Sequence, residues 1–367
     1  MAGDKIRVGI IGVHPTNGWA AAAHIPALRS LDAFEITAVA TRRQHSALAA
    51  SLHFGIPASF GDPQQLIDHP EVDLVVVTVR VPFHFDLVKA AIKAGKHVFC
   101  EWPLTFTAEE AEQLLDLAHQ KGVRHFVGLQ ARAAPVIAQV RELIAEGYVG
   151  RVLSTSVIAS GMGWGAAMPA AMSILADRAN GATMLSVPGG HFIDAVCWCL
   201  GEIRSLSATM AQLRNEVTII ETGEIIPLTV PDQFAVTGTF DSGAVASIHF
   251  RSGVSNGTNG LWEINGTDGD LVITSDGGLI QLGEPALKGA RSQDSGLSPI
   301  AINPHHTWVP PETPRGLPFN VAQHYALIAR DLRTGTALAA GFDVAVTRHR
   351  LLDAIERAAD AGRRQEL

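Results

Sequence analysis

The run Asp73-Leu74-Val75-Val76-Val77-Thr78-Val79 has no polar face. A strand that is apolar on both sides must be covered on both sides, which is the situation at the centre of a parallel sheet with helices above and below. The neighbouring segments supply such a sheet. Residues 5–11 and 34–40 read as strands, a third follows near Phe60-Gly61-Asp62, and residues 98–104 and 124–129 read as the fifth and sixth. Helical segments through Ser46, from 86 to 93 (stopped by Gly95) and from 108 to 120 (stopped near Gly122) lie between them. Strict strand–helix alternation specifies a doubly wound α/β sheet.

After Gln130 the pattern changes. Residues 132–145 read as a helix ended by Gly147, and from Gly150 the strands lengthen and alternate. Residues 234–240, the turn Asp241-Ser242-Gly243 and residues 244–250 form a hairpin pattern, and Asn265-Gly266-Thr267-Asp268-Gly269 turns the next pair. Two domains are expected: 1–128, a Rossmann doubly wound parallel sheet, and 129–367, an α+β domain with an open antiparallel sheet. Helices can cover only one face of that sheet. The other should need a second subunit, so a homodimer or homotetramer is expected. Residues 285–316, rich in Pro, Gly and Ser and carrying His305, His306 and Trp308, read as a long loop. Residues 321–333 and 346–361 read as closing helices.

A chain of 367 residues exceeds one ordinary core, and 47% hydrophobic and 17% charged residues with a net charge of −8 suit a globular protein. No apolar run reaches membrane-spanning length and the start lacks a signal-peptide core, so a cytoplasmic location is expected, without a membrane partner. Cys100, Cys197 and Cys199 lack metal-ligand spacing and read as reduced core residues; no metal site is expected. The acidic balance and scattered Lys and Arg argue against a nucleic-acid surface.

The first strand runs into Gly12-Val13-His14-Pro15-Thr16-Asn17-Gly18-Trp19, followed by a helical composition. Glycines there let the backbone approach a pyrophosphate, and the helix start offers free amides. The spacing departs from Gly-x-Gly-x-x-Gly, since His14 stands at the middle glycine and one extra residue precedes Gly18. By itself the turn suits either a dinucleotide or any tight strand–helix connection. The second strand ends at Thr41-Arg42-Arg43, where an NAD-preferring site usually carries an acid for the ribose 2′-hydroxyl. Arg42 and Arg43 either meet a 2′-phosphate or adenine, which tilts the cofactor towards NADP without excluding NAD, or stand solvated at a helix start.

Several motifs together resemble the Gfo/Idh/MocA oxidoreductase family. They are Val8-Gly9-Ile10-Ile11-Gly12, the strand ending in Glu101-x-Pro103, Arg132 with Pro135, and Glu146-Gly147-Tyr148-Val149-Gly150. Gly18-Trp19-Ala20, Glu101-Trp102, Leu129-Gln130-x-Arg132 and Gly163-Trp164 are similar to one branch, that of the galactose-regulon repressor of yeasts and its bacterial relatives. The resemblance implies that Gly12, His14, Asn17, Gly18, Trp19, Thr41, Arg42, Arg43, Val79, His84, Glu101, Trp102 and Gln130 line an NAD or NADP site. It also implies that Trp102, Arg132, Trp164 and His191 meet a sugar-like ligand.

In the family, Glu101-Trp102-Pro103 reads Glu-Lys-Pro, with the lysine beside the nicotinamide, and an aspartate precedes the histidine by four residues. Here those positions are Trp102 and Val187, and only His191 remains. Trp102 can stack on a ring or a sugar face but carries no catalytic proton. His191 is a candidate base or a satisfied interior histidine. His84 matches a histidine at the start of a family helix and suits a capping role equally. Three functions follow: an NAD(P)-dependent oxidoreductase of a sugar or polyol with a degenerate catalytic set; a non-catalytic dinucleotide-binding regulator or sensor read by a protein partner; and an NAD-dependent sugar lyase or glycosidase.

Overall fold

The structure, a computed structural model, describes residues 5–367. It divides into two compact units, residues 1–133 with 308–349, and residues 134–307 with 350–367. The opening half alternates as its sequence demands: β1 (Ile6–Ile11), α1 (Ile25–Arg29), β2 (Phe34–Ala40), α2 (Gln44–Phe54), β3 (Ala58–Phe60), α3 (Pro63–Ile67), β4 (Leu74–Val77), α4 (His84–Lys93), β5 (His97–Cys100), α5 (Ala108–Lys121) and β6 (His125–Val127). The strands form one six-stranded sheet in the order β3-β2-β1-β4-β5-β6. All of its pairings are parallel. β4 is buried throughout and lies between β1 and β5, because Leu74 and Val75–Val77 leave neither face fit for water. A widened turn, Ala20–His24, precedes α1: Ile25 N donates five residues back to Ala20 O, as an extra residue in a helix produces.

In the second unit, α6 (Pro135–Ala145) precedes β7 (Val152–Gly161), the short β8 (Ala167–Met168), α7 (Gly190–Leu200), β9 (Ile203–Ala211), β10 (Glu216–Ile219), β11 (Ile225–Pro227), β12 (Gln233–Phe240), β13 (Val245–Ser252), β14 (Gly260–Gly266), β15 (Gly269–Thr274), β16 (Ala286–Arg291) and β17 (Ser298–Pro299). With β18 (Gln365–Glu366) they give a nine-stranded sheet, β17-β16-β15-β14-β7-β13-β12-β9-β18, and a small sheet, β11-β10-β8. The large sheet is mixed rather than purely antiparallel, because β7 and β13 pair in parallel at its centre.

Phe192 of α7 packs edge-on against Phe250 and Trp262, which places this helix on the buried face. The opposite face is mixed rather than uniformly apolar. Register aligns Ser156, Ser247 and Thr237 across adjacent strands, with Ala235, His249 and Glu263 nearby, all exposed. On the same face Val245 is exposed and Ile158, Leu261 and Val272 are half-buried, so polar and apolar side chains are mixed there. The region 285–316 also departs from a plain loop, since Ala286–Arg291 pairs with β15 and carries the sheet to its edge.

α8 (Leu317–Thr334) and α9 (Phe342–Ala361) follow. α8 falls in the first unit and is stopped by Gly335 in the left-handed region. Beyond its end, Asp331, 1% exposed, gathers the chain. Its carboxylate accepts from Thr336 Oγ1 (2.8 Å), Leu338 N (2.9 Å) and Ala339 N (2.8 Å). Among the described residues no helix is long and apolar enough to cross a membrane. Asp331→Ala removes the acceptor these three donors share, and because Thr336 and Leu338 are exposed, water takes over part of the loss. Urea unfolding should show a loss of about 1–3 kcal/mol; a loss below about 0.5 kcal/mol would mean that solvent replaces the carboxylate fully.

Candidate functional site: the carboxyl ends of the parallel strands

Register sets Ile11 beside both Ala40 and Val77, Val77 beside Cys100 and Cys100 beside Val127. The next residues, Gly12, Thr41, Thr78, Glu101 and Gly128, therefore stand in a row along one edge of the sheet. Backbone bonds continue the ladder one step beyond it: Gly12 N to Ala40 O (2.9 Å), Thr78 N to Ile11 O (3.0 Å), Glu101 N to Val77 O (3.1 Å) and Gly128 N to Cys100 O (2.8 Å). The strand order reverses direction between β1 and β4, and the crevice outside such a switch point is where open α/β sheets take ligands.

At that point the backbone is bare. Gly12 has φ +107°, and a Cβ there would lie 2.9 Å from Val79 Cγ1 and 3.1 Å from the Thr78 carbonyl. Gly18 has φ +90°, with nothing within 4 Å of where its Cβ would be. Between them His14 Nδ1 accepts from Thr16 N (3.3 Å) and Asn17 N (3.2 Å), so His14 shapes the loop in the glycine's place. Tight at one glycine and open at the other, the turn fits a pyrophosphate laid against backbone.

At the end of β2, Thr41 Oγ1 donates to Arg43 O (2.9 Å) and accepts from Arg43 N (3.3 Å), so its hydroxyl is used within the turn. The Arg42 guanidinium lies 5.2 Å over the Phe83 ring, in cation–π contact. No acidic side chain stands at residues 41–43. His84 is 1% exposed, with Nδ1 2.9 Å from Pro103 O and Nε2 2.9 Å from Val79 O. Burial pushes its pKa down. Its ring is committed to backbone, and it positions Val79 and Pro103.

Beneath Glu101 lies a polar floor that residue spacing did not reveal. His24, on the widened turn, has Nδ1 2.7 Å from the Tyr325 hydroxyl and Nε2 2.9 Å from Glu101 Oε1, the latter an ion-pair contact without full hydrogen-bond alignment. Gly128 makes room for that carboxylate: a Cβ would lie 2.8 Å from Glu101 Oε1. His324 is buried beside Phe99, and both of its ring nitrogens lack a protein hydrogen-bond partner, as does Gln130 Oε1. Arg132 is half-buried and lies close enough to His324 to oppose its protonation. Nothing in local sequence marks His24, Tyr325 and His324 as neighbours. The one available signal was the pair of polar residues His324 and Gln323 on the apolar side of a helix.

Trp102 is 5% exposed, and its indole packs on the His349 ring, with centroids 4.7 Å apart and planes tilted by 39°. Trp19 is half-buried, with its indole N–H enclosed. In the second unit, Trp164 donates from Nε1 to Leu175 O (3.1 Å), and Gly161 leaves space for the Trp164 ring beside Met184. After Met184 the chain takes another widened turn, Leu185–Gly189, that holds Val187 and leads into α7. A Cβ at Gly189 would meet Phe234 Cζ at 2.8 Å, so glycine lets this turn sit against the sheet. His191 and Asp194 follow on the first turns of α7, both buried.

Compared with known proteins, residues 6–129 match the family profile described as oxidoreductase family, NAD-binding Rossmann fold, and residues 135–275 match that of the Gal80p C-terminal domain. A dehydrogenase of Aspergillus oryzae, aclE, is 30% identical over 98% of this chain and 97% of its own length. The chain belongs to the Gfo/Idh/MocA family. Within it, the galactose/lactose metabolism regulatory protein GAL80 of Saccharomyces cerevisiae is 27% identical over 80% of this chain and 72% of that protein. A crystal structure of a super-repressor mutant of the same yeast's Gal80p shares the fold, with TM-score 0.89 and 22% identity over 99% of both chains. The Gfo/Idh/MocA chain described here thus lies near the Gal80 branch, as its Glu101-Trp102 and Gly163-Trp164 suggest.

Three histidines of the first unit make its stability depend on pH. Burial pushes His125, His324 and His349 down to about 4. Their folded pKa lies below the unfolded value near 6.5, so the unfolded chain binds more protons between these limits. The stability is complete above about pH 6.5 and declines as pH falls towards 4. Denaturant unfolding at pH 5 should show on the order of 3–6 kcal/mol less stability than at pH 7. A flat profile would place these imidazoles in contact with water.

Proposed function

We propose that this chain is an NAD(P)-dependent oxidoreductase of a sugar or polyol that works with a reduced proton-transfer set. The observation that carries this is the bare backbone at Gly12 and Gly18, set where the strand order reverses. When bound, the dinucleotide supplies a nicotinamide that takes up or gives a hydride. The chain's own part is placement and proton handling. The 12–18 turn holds the pyrophosphate, Arg42 and Arg43 face the adenosine end, and Val79, Glu101, Trp102 and Gln130 shape the nicotinamide end. Trp19 and Asn17 close the turn, and His84 fixes the two carbonyl segments beside it. In the first unit Arg132 and Trp102 are the candidate contacts for the sugar-like substrate; in the second, His191 is the candidate base for the hydroxyl proton and Trp164 a candidate sugar contact. The dehydrogenase relative over the full chain supports this reading.

A second reading rests on Trp102 and Val187. Two family proton carriers are replaced, and Trp102 packs on His349, so the same fold also suits a cofactor-bound regulator read by a protein partner. The resemblance to GAL80 supports that reading. The two are separated by following absorbance at 340 nm with NAD or NADP and a panel of sugars and polyols. Turnover well below the ~10 s⁻¹ common among enzymes, abolished by His191→Ala with dinucleotide binding intact, supports the oxidoreductase. No turnover with any substrate, alongside tight dinucleotide binding, supports the regulator. Fast turnover that survives His191→Ala would remove His191 from the mechanism.

Cofactor preference follows from Thr41-Arg42-Arg43. NADP(H) should bind at least as tightly as NAD(H) in calorimetry. NAD bound tenfold more tightly, a difference of about 1.4 kcal/mol, would show that Arg42 and Arg43 do not read a 2′-phosphate.

A further inference from the structure

A separate cluster in the second unit is absorbed by neither reading. Asn303, Pro304, His305 and His306 form a short turn docked on α6. Asn303 N donates to Gln139 Oε1 (2.8 Å), its side-chain oxygen accepts from His305 N (3.3 Å), and its carbonyl accepts from His306 N (3.0 Å). These bonds turn two consecutive imidazoles to the same side, with ring centroids 4.2 Å apart. Both meet one carboxylate. His305 Nε2 is 2.9 Å from Glu142 Oε1, and His306 Nε2 is 3.1 Å from Glu142 Oε2.

One donor atom from each of the three side chains lies within 4.8 Å of the other two. Ligand bonds of about 2.0–2.2 Å in a tetrahedral zinc site put neighbouring donor atoms roughly 3.3 Å apart; each imidazole nitrogen already lies 2.9 or 3.1 Å from one of the two Glu142 oxygens, so a shared ion needs only local side-chain adjustment. Gln139, 6% exposed, donates from Nε2 to Glu142 Oε2 (3.3 Å) and gives the carboxylate an outer-shell partner.

We propose that Glu142, His305 and His306 bind a divalent ion of the zinc class, with three protein ligands and a fourth position facing solvent. Two imidazole nitrogens and one carboxylate select Zn²⁺ or a similar transition ion over Mg²⁺ and Ca²⁺, which prefer oxygen. The site joins α6 to the 303–306 turn, 163 residues further along the chain at the His305 contact, so the ion would fasten that turn. A hydrogen-bonded cluster without metal would use both Nε2 atoms as donors, whereas a bound ion needs their lone pairs; the two arrangements exclude each other.

The test uses tag-free protein, stripped of metal and titrated with Co²⁺ and then Zn²⁺. The expected result is one ion per chain at micromolar affinity or tighter, visible absorption of tetrahedral Co²⁺ that Zn²⁺ abolishes, and a thermal midpoint raised by Zn²⁺ but not by Mg²⁺. His305→Gln changes an imidazole that is 53% exposed, so the fold should survive it. It and Glu142→Gln should each weaken binding by more than the roughly 10–100-fold typical of an outer-shell change. Absence of the Co²⁺ spectrum at micromolar protein, or equal affinity in the wild-type chain and His305→Gln, would overturn the site and leave a hydrogen-bonded cluster only.

Discussion

The contact of His24 with Tyr325 and Glu101 is what the first unit's functional edge depends on. Burial and the neighbouring Glu101 charge push the Tyr325 pKa well above its usual range, so the phenol keeps its proton, with its oxygen 2.7 Å from His24 Nδ1. Nε2 then faces Glu101 Oε1. Three segments meet there: the turn after β1, the end of β5 and α8. A buried polar group stranded by loss of its partner costs more than the bond contributes in net terms, so each member holds the other two in place. The turn after β1 thereby inherits its position from a tyrosine 301 residues away.

That anchoring bears on the unusual Glu101-Trp102 pair. Glu101 is held from below by His24, while Trp102 is turned onto His349. A lysine at position 102 would place an ammonium where an aromatic ring now packs, and a buried ammonium needs a paired carboxylate. The replacement is therefore built into the packing of the unit and is more than the loss of one functional group. His349 accompanies it: Thr105 N donates to His349 Nε2 (3.4 Å), and burial holds its pKa down to about 4, so Trp102 rests on a neutral ring.

The parallel sheet was legible because its strands are short apolar runs with punctuation between them, and β4 shows its central place in its own composition. The row from Gly12 to Glu101 was legible for the same reason, since residues at strand ends share an edge once the strand order is known. Side-chain partners distant in sequence were not. His24, Tyr325 and His324 lie in segments whose apolar periodicity describes them as ordinary helices, and although Gln323 and His324 interrupt the apolar side of α8, nothing in a local window pairs that side with His24. The parallel pairing of β7 with β13 escaped for a related reason, because alternation in a strand specifies two faces but no direction for its neighbour. β16 was hidden by composition: Gly and Pro around Ala286–Arg291 read as loop, yet the strand sits next to the sheet's edge, with only the two-residue β17 beyond it.

His84 carries a further consequence. One imidazole stands between the carbonyl that follows β4 and the carbonyl that follows β5, 2.9 Å from each. A neutral ring has one N–H, and burial holds this ring neutral. At any instant it therefore bonds one strand end and presents a lone pair to the other. Exchange of tautomer would swap the tethered segment without moving a heavy atom, so the two loops share a single fastening in alternation.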